Sequence, residues 1–146
     1  MDTQPMEILL VEDNEDDIVL EREALAEAKL INLMSVVRDG EEAMAFLRRQ
    51  GQYQHAEMPG LILLDINMPK KNGFEVLNEL KADPALVHIP VVMLTTSDNE
   101  ADIVKSYAKG ACSYITKPMD FDKFREVAKQ FALYWALVAR IPFRAR

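Results

Sequence analysis

The chain has 146 residues, a formal net charge of −7 and one cysteine. A domain of this size buries about 68–70% of the surface its unfolded chain exposes and needs no covalent staple. Cys112 has no partner for an internal disulfide, which suits a reducing cytoplasm. The acidic balance repels nucleic-acid phosphates, and the basic patches are limited to Lys70-Lys71 and the tail arginines Arg140, Arg144 and Arg146. No apolar run approaches the roughly 20 residues of a membrane-spanning helix, and Met1-Asp2-Thr3-Gln4-Pro5 lacks the regions of a signal peptide. The expectation is a cytoplasmic protein whose partners are neither nucleic acid nor membrane.

Short apolar runs alternate with helix-like stretches along the chain. The first run, Glu7–Val11, precedes an amphipathic segment at 15–29 that turns Ile18, Leu25 and Ala28 toward a core. Leu33–Val37 follows, then 41–50 with Ala43, Phe46 and Leu47, then a loop at Gly51–Gly60. Leu61–Leu64 precedes a helix at 73–82 with Phe74, Leu77 and Leu80, and Asp83–Pro90 reads as a second longer loop. Pro90–Leu94 leads to a helix at 98–109 that offers Ala101, Val104 and Ala108, with Ser97 and Glu100 as a capping box. Cys112–Ile115 leads through Pro118 to a last helix at about 120–139, with Asp120 as N-cap. Four of the five runs are continuously apolar, as strands covered on both faces should be. Five-fold β-α alternation predicts an α/β domain with a parallel sheet and right-handed crossovers. The whole chain, 1–146, reads as one domain with a core at about 7–132, an extended C-terminal helix, a short tail and no separate output domain.

In open parallel sheets, ligands sit outside the carboxyl ends of the strands. Glu12-Asp13 follows the first run, Asp65 and Asn67 the third, Thr95-Thr96 the fourth, and Thr116-Lys117-Pro118 the fifth. If strands one and three are neighbours, three carboxylates, a hydroxyl and an ammonium meet at one edge. Like charges about 4 Å apart repel by roughly 4 kcal/mol at an effective dielectric of 20, so such a cluster wants a hard cation. Mg2+ fits, because it takes oxygen ligands and often uses only one or two carboxylates plus phosphate oxygens. An aspartate in this setting can act as a nucleophile and form an acyl phosphate, with Lys117 a further positive charge. The acids Glu15-Asp16-Asp17 need no such role, since they favour the positive end of the first helix.

The segments Leu10-Val11-Glu12-Asp13, Leu64-Asp65-Ile66-Asn67-Met68-Pro69 closing at Gly73, Met93-Leu94-Thr95-Thr96 and Tyr114-Ile115-Thr116-Lys117-Pro118 resemble the receiver domain of two-component response regulators. The resemblance runs from about Glu7 to the end of the last helix. It implies a flavodoxin-like five-stranded parallel sheet in the order 2-1-3-4-5 with helices on both faces, an order known for receivers in general. It implies Asp65 as phospho-acceptor, and Mg2+ bound by Glu12, Asp13, Asp65 and the backbone carbonyl of Asn67. Thr95 resembles the switch hydroxyl, Lys117 the cation that pairs with the phosphoryl group, and Tyr114 the aromatic switch. Pro69 and Gly73 resemble the turn after the acceptor, and Pro118 the proline after a cis peptide. Thr96 departs from the pattern, since a small residue such as alanine is common there, and its bulk bears on phosphoryl access.

The loop Lys81–Pro90 and the ending Phe131–Pro142 are similar to those of stand-alone regulators paired with phytochrome histidine kinases. The implied partner is a sensor histidine kinase, of the bacterial phytochrome type. Phe121, Phe124, Ala128, Phe131, Trp135 and Val138 form a 3-4-3-4-3 stripe, and Tyr134, Trp135, Leu137 and Ile141 at its far end read as a homodimer surface. Other chemistries fit less well. An aspartyl-nucleophile hydrolase of the haloacid-dehalogenase kind wants a second aspartate where Asn67 stands. A flavin module wants a phosphate-cradling loop where Glu12–Asp17 is acidic. A pseudo-receiver that only binds partners would not need the full acidic set.

Overall fold

The computed structural model describes residues 6–28, 31–95, 100–111 and 113–116, with two further helical positions at Asp122 and Glu126; for some of these, Thr95 among them, only the backbone is described. Five strands, β1 (Met6–Val11), β2 (Ile31–Val37), β3 (Leu61–Asp65), β4 (Val91–Thr95) and β5 (Ser113–Thr116), form one parallel sheet in the order β2-β1-β3-β4-β5. Helices α1 (Glu15–Ala28), α2 (Gly40–Leu47), α3 (Gly73–Ala82) and α4 (Glu100–Ala108) connect them. This is the expected flavodoxin-like order, and it seats β3 beside β1 with Val11 opposite Leu64.

Period-two alternation sorts the strand residues between two buried faces. Leu9 and Val11 of β1, Ile62 and Leu64 of β3, and Val91 and Met93 of β4 join one cluster with Ala43, Phe46 and Leu47 of α2 and Phe74, Leu77 and Leu80 of α3. Their neighbours Ile8, Leu10, Leu61, Leu63, Val92 and Leu94 are just as buried but point away from that cluster. Burial on both faces is why these strands read as unbroken apolar runs. Each fully buried leucine contributes about 1.5–3 kcal/mol relative to exposure.

Side-chain caps fix where the helices start. Asn14 Oδ1 accepts from the Asp17 N–H at 3.0 Å, and Asp39 Oδ1 accepts from the Glu42 N–H at 2.8 Å. Asn72 and Glu75 form a reciprocal capping box at α3, with bonds of 3.0 and 2.9 Å. The predicted box of Ser97 with Glu100, the N-cap Asp120 and most of the last helix lie outside the described residues.

Three elements differ from the sequence reading. Helix α2 ends at Leu47, because Arg49 and Gly51 take positive φ and lead into a 3-10 turn at Gly51–Tyr53. Tyr53 returns to the core there, its ring 5.2 Å from that of Phe46. The Asp83–Pro90 segment likewise buries Leu86 and Ile89. In α4 the inward face was misread: Ala101 and Ala108 are exposed, while Ser106 is buried and Ile103 packs against the core. The Ser106 hydroxyl donates to the Asp102 carbonyl at 2.9 Å, so a polar residue occupies a buried position at little cost.

Candidate phosphoryl and metal site

The carboxyl ends of β1 and β3 bring the acidic residues together. Glu12 leaves β1 with its N–H bonded to the Val37 carbonyl of β2 at 3.0 Å, which turns its side chain into a buried position. Asp13, one residue on, is exposed, and Asp65 at the end of β3 is 4% exposed. One carboxylate oxygen from each of Glu12, Asp13 and Asp65 lies within 4.8 Å of the other two. At such separations each pair of ionised groups repels by about 3–4 kcal/mol at an effective dielectric near 20. Two buried acids and one open to solvent are a suitable oxygen donor set for a divalent cation with an open side toward a ligand. The donor set therefore fits a divalent cation.

The loop after Asp65 is tightly fixed. The Asn67 N–H donates to Asp65 Oδ1 at 3.3 Å, the Ile66 N–H to the Leu94 carbonyl at 2.9 Å, and the Gly73 N–H to the Ile66 carbonyl at 2.8 Å. Gly73 is required by space: a Cβ there would collide with the Asp65 carbonyl oxygen and lie 2.8 Å from Ile66 Cα. Pro69 is exposed between them and helps turn the chain.

Tyr114 lies on β5 opposite Met93 and is buried in the main cluster, so its ring is in the inward position. The Thr95 backbone ends β4 opposite Thr116, at the same edge as Asp65, which pairs with Leu94. The Thr95 side chain, Thr96, Cys112, Lys117, Pro118 and the surface of Tyr134, Trp135, Leu137 and Ile141 lie outside what is described.

Two features escaped the sequence reading. Asp17 lies in the first turn of α1 as expected, but its carboxylate oxygen and those of Glu12 and the buried Glu21 also lie within 4.8 Å of one another. The spacing of Glu21 three residues after buried Ile18 was the available signal. The second is the contact of α2 with the loop at Lys70 and Lys71, where Lys70 Nζ lies 3.5 Å from Asp39 Oδ2.

A doubly covered parallel sheet with an acidic triad at its carboxyl edge, after β1 and β3, defines a receiver-type domain. Residues 8–129 match the response regulator receiver domain family, and the chain belongs to it. Response regulator Rcp1 of Synechocystis sp. strain PCC 6803 is 42% identical over 138 residues, covering 94% of each chain. Among solved structures, the phosphorylated cyanobacterial phytochrome response regulator RcpA is similar at 47% identity, with a TM-score of 0.79 and coverage of 95% of this chain and 99% of that one. The Mn2+-bound form of Rcp1 is similar at 42% identity and a TM-score of 0.77, over 94% of this chain and 99% of that one. The protein is thus a two-component response regulator. Among the described residues, no helix is long and apolar enough to cross a membrane.

Proposed function

We propose that Asp65 accepts a phosphoryl group from the phosphohistidine of a sensor histidine kinase, with Mg2+ held by Glu12, Asp13, Asp65 and the Asn67 carbonyl. The observation that carries this reading is the convergence of Glu12, Asp13 and Asp65 within 4.8 Å at adjacent strand ends. In the transfer, an Asp65 carboxylate oxygen forms a bond to phosphorus. The phosphorus–nitrogen bond of the donor breaks, and the imidazole nitrogen keeps the electron pair and takes a proton. A metal held by Glu12, Asp13 and Asp65 would supply positive charge for the phosphoryl oxygens. Burial of Asp65 at a rigid strand end holds the nucleophile still, and the Asn67 N–H orients one of its oxygens. Thr95 is the last residue of β4, and Lys117 follows β5 in sequence, so both belong to strands that end at this edge. Their proposed roles are a hydroxyl that turns to the phosphoryl group and a cation that pairs with it, with Tyr114 responding as the aromatic switch.

The likeness to RcpA and Rcp1 supports a kinase of the phytochrome type and a light-sensing pathway for this chain. A cytoplasmic location, a homodimer and self-catalysed phosphorylation and dephosphorylation, rather than turnover of a metabolite, complete the reading. The test is transfer of labelled phosphate from a phosphorylated kinase in the presence of Mg2+. Label should arrive as a base-labile acyl phosphate and fall at least 100-fold in Asp65→Asn. Undiminished labelling of that variant, folded as judged by circular dichroism, overturns the proposal.

A further inference from the structure

The segment from Asp65 to Gly73 carries the acceptor and Asn67, and its two ends are pinned by the hydrogen bonds of Ile66 and Gly73. Its middle contains an unusual turn. The Lys71 N–H donates to the Pro69 carbonyl at 2.7 Å, across Lys70 at φ 67°, which is a three-residue γ-turn in the left-handed half of backbone space. A lysine does not choose that conformation unaided, so the surroundings must hold it there. One neighbour does so by direct contact. Gly40, the first residue of α2, sits against the turn so closely that a Cβ would collide with the Lys71 carbonyl oxygen. That Cβ would also lie 2.6 Å from Lys71 Cβ and 2.9 Å from Val76 Cγ2.

The obstacle is backbone, not the tip of a flexible side chain. Gly40 itself is not in a positive-φ conformation, so glycine is needed for space and not for its own dihedrals. Helix α2 is anchored at that end by its Asp39 cap, and the same carboxylate faces Lys70 Nζ at 3.5 Å. The start of α2 thus forms a stop against which the turn is pressed. Asn67 lies in the same pinned loop, three residues before Lys70 and two after Asp65.

We propose that Gly40 is a positioning residue for the phospho-acceptor loop: its missing side chain lets α2 press on Lys71, holds the Lys70 γ-turn, and so sets the Asn67 carbonyl against the Asp65 carboxylate. This inference rests on the site reading given above. A methyl group at position 40 pushes the loop outward and misplaces one oxygen donor while Glu12, Asp13 and Asp65 keep their places. Glycine in place of Lys70 lets the turn adjust freely and absorb that push.

The experiment is Mg2+ titration by calorimetry, with amide NMR of the metal-free protein, on wild type, Gly40→Ala, Lys70→Gly, the double variant and Asp39→Asn. Gly40→Ala should bind Mg2+ five- to tenfold more weakly and shift the metal-free amide resonances of 65–71. Asp39→Asn, which keeps the cap, should stay within twofold of wild type, and Lys70→Gly gives the reference against which the double variant is read. The double variant should recover to within twofold of Lys70→Gly, a non-additivity that simple loss of packing does not produce. If Gly40→Ala does not fold, the double variant is the deciding protein. Unchanged affinity in Gly40→Ala, or a double variant with no recovery in folding or affinity, overturns the inference, as does an equal loss in Asp39→Asn. Wild-type protein that binds no Mg2+ would instead overturn the metal site itself.

Discussion

At the scale of single residues, the electrostatic interest extends beyond the acidic triad. The Tyr53 hydroxyl donates a hydrogen bond to Glu42 and its ring packs tilted against Phe46, and its phenol is pushed up to about 12. Burial is the main cause, followed by the hydrogen bond to the Glu42 carboxylate and that group's negative charge. The unfolded chain ionises this phenol near pH 10, so the folded state retains the proton over a window in which the unfolded state has lost it. The stabilisation is therefore fully present below about pH 10 and is lost as pH rises through about 12. Alkaline titration followed by phenolate absorbance should show a late-titrating component, and Tyr53→Phe should remove one tyrosine's share of it. The same variant keeps the ring contact with Phe46 and should cost about 0.5–1.5 kcal/mol in urea melts near neutral pH, the net worth of one hydrogen bond. A titration curve unaltered by Tyr53→Phe would contradict the assignment.

At the scale of elements, the start of α3 ties stability to the site. Asn72 and Glu75 satisfy N–H groups at the helix start, and the next residue, Gly73, rests on the backbone of Asp65 and Ile66. Fraying of this turn therefore loosens the acceptor loop directly. Asn72→Ala should lower the free energy of unfolding by about 0.5–2 kcal/mol, whereas Asn72→Asp should be nearly neutral because aspartate caps equally well. Urea denaturation of the two variants checks this, and equal losses in both would assign the effect to something other than the cap. The same element illustrates what a sequence reveals. Strands buried on both faces leave continuous apolar runs, so β1, β3 and β4 were placed to within a residue or two. Helix α3 has a strong apolar stripe at Phe74, Leu77 and Leu80 and was read correctly. Helix α4 was not, because its buried face is built on Ser106 and Ile103, and a serine that bonds its own backbone looks polar in sequence. Tyr53, Leu86 and Ile89 were assigned to loops, since isolated apolar residues in irregular segments carry no period.

At the scale of the whole molecule, the site was legible because its residues follow strand ends, and a parallel sheet collects strand ends at one edge. Glu12, Asp13 and Asp65 needed only the adjacency of β1 and β3 to meet. The support behind them was not legible: Gly40 and Lys71 are distant in sequence, and no pattern of residue types marks a glycine as the stop for a remote turn. Communication outward depends on what the carboxyl edge can move, and the sequence points to the last helix as the receiving surface. The sequence predicts a helix over about 120–139, which would be roughly 30 Å long and would outreach the four-residue β5. Tyr134, Trp135, Leu137 and Ile141, toward the end of that predicted helix, would give an apolar group suited to a second copy of the chain. Phosphorylation at Asp65 would bias such an association if Thr95 and Tyr114 rearrange toward the phosphoryl group, since a ligand shifts an equilibrium only through contacts that differ between the states. Light scattering at micromolar concentration should give twice the chain mass for wild type and the chain mass for Trp135→Glu, with label transfer to Asp65 retained in both. A wild-type monomer, with and without the phosphoryl group, would remove the dimer and leave the receiver chemistry as it stands.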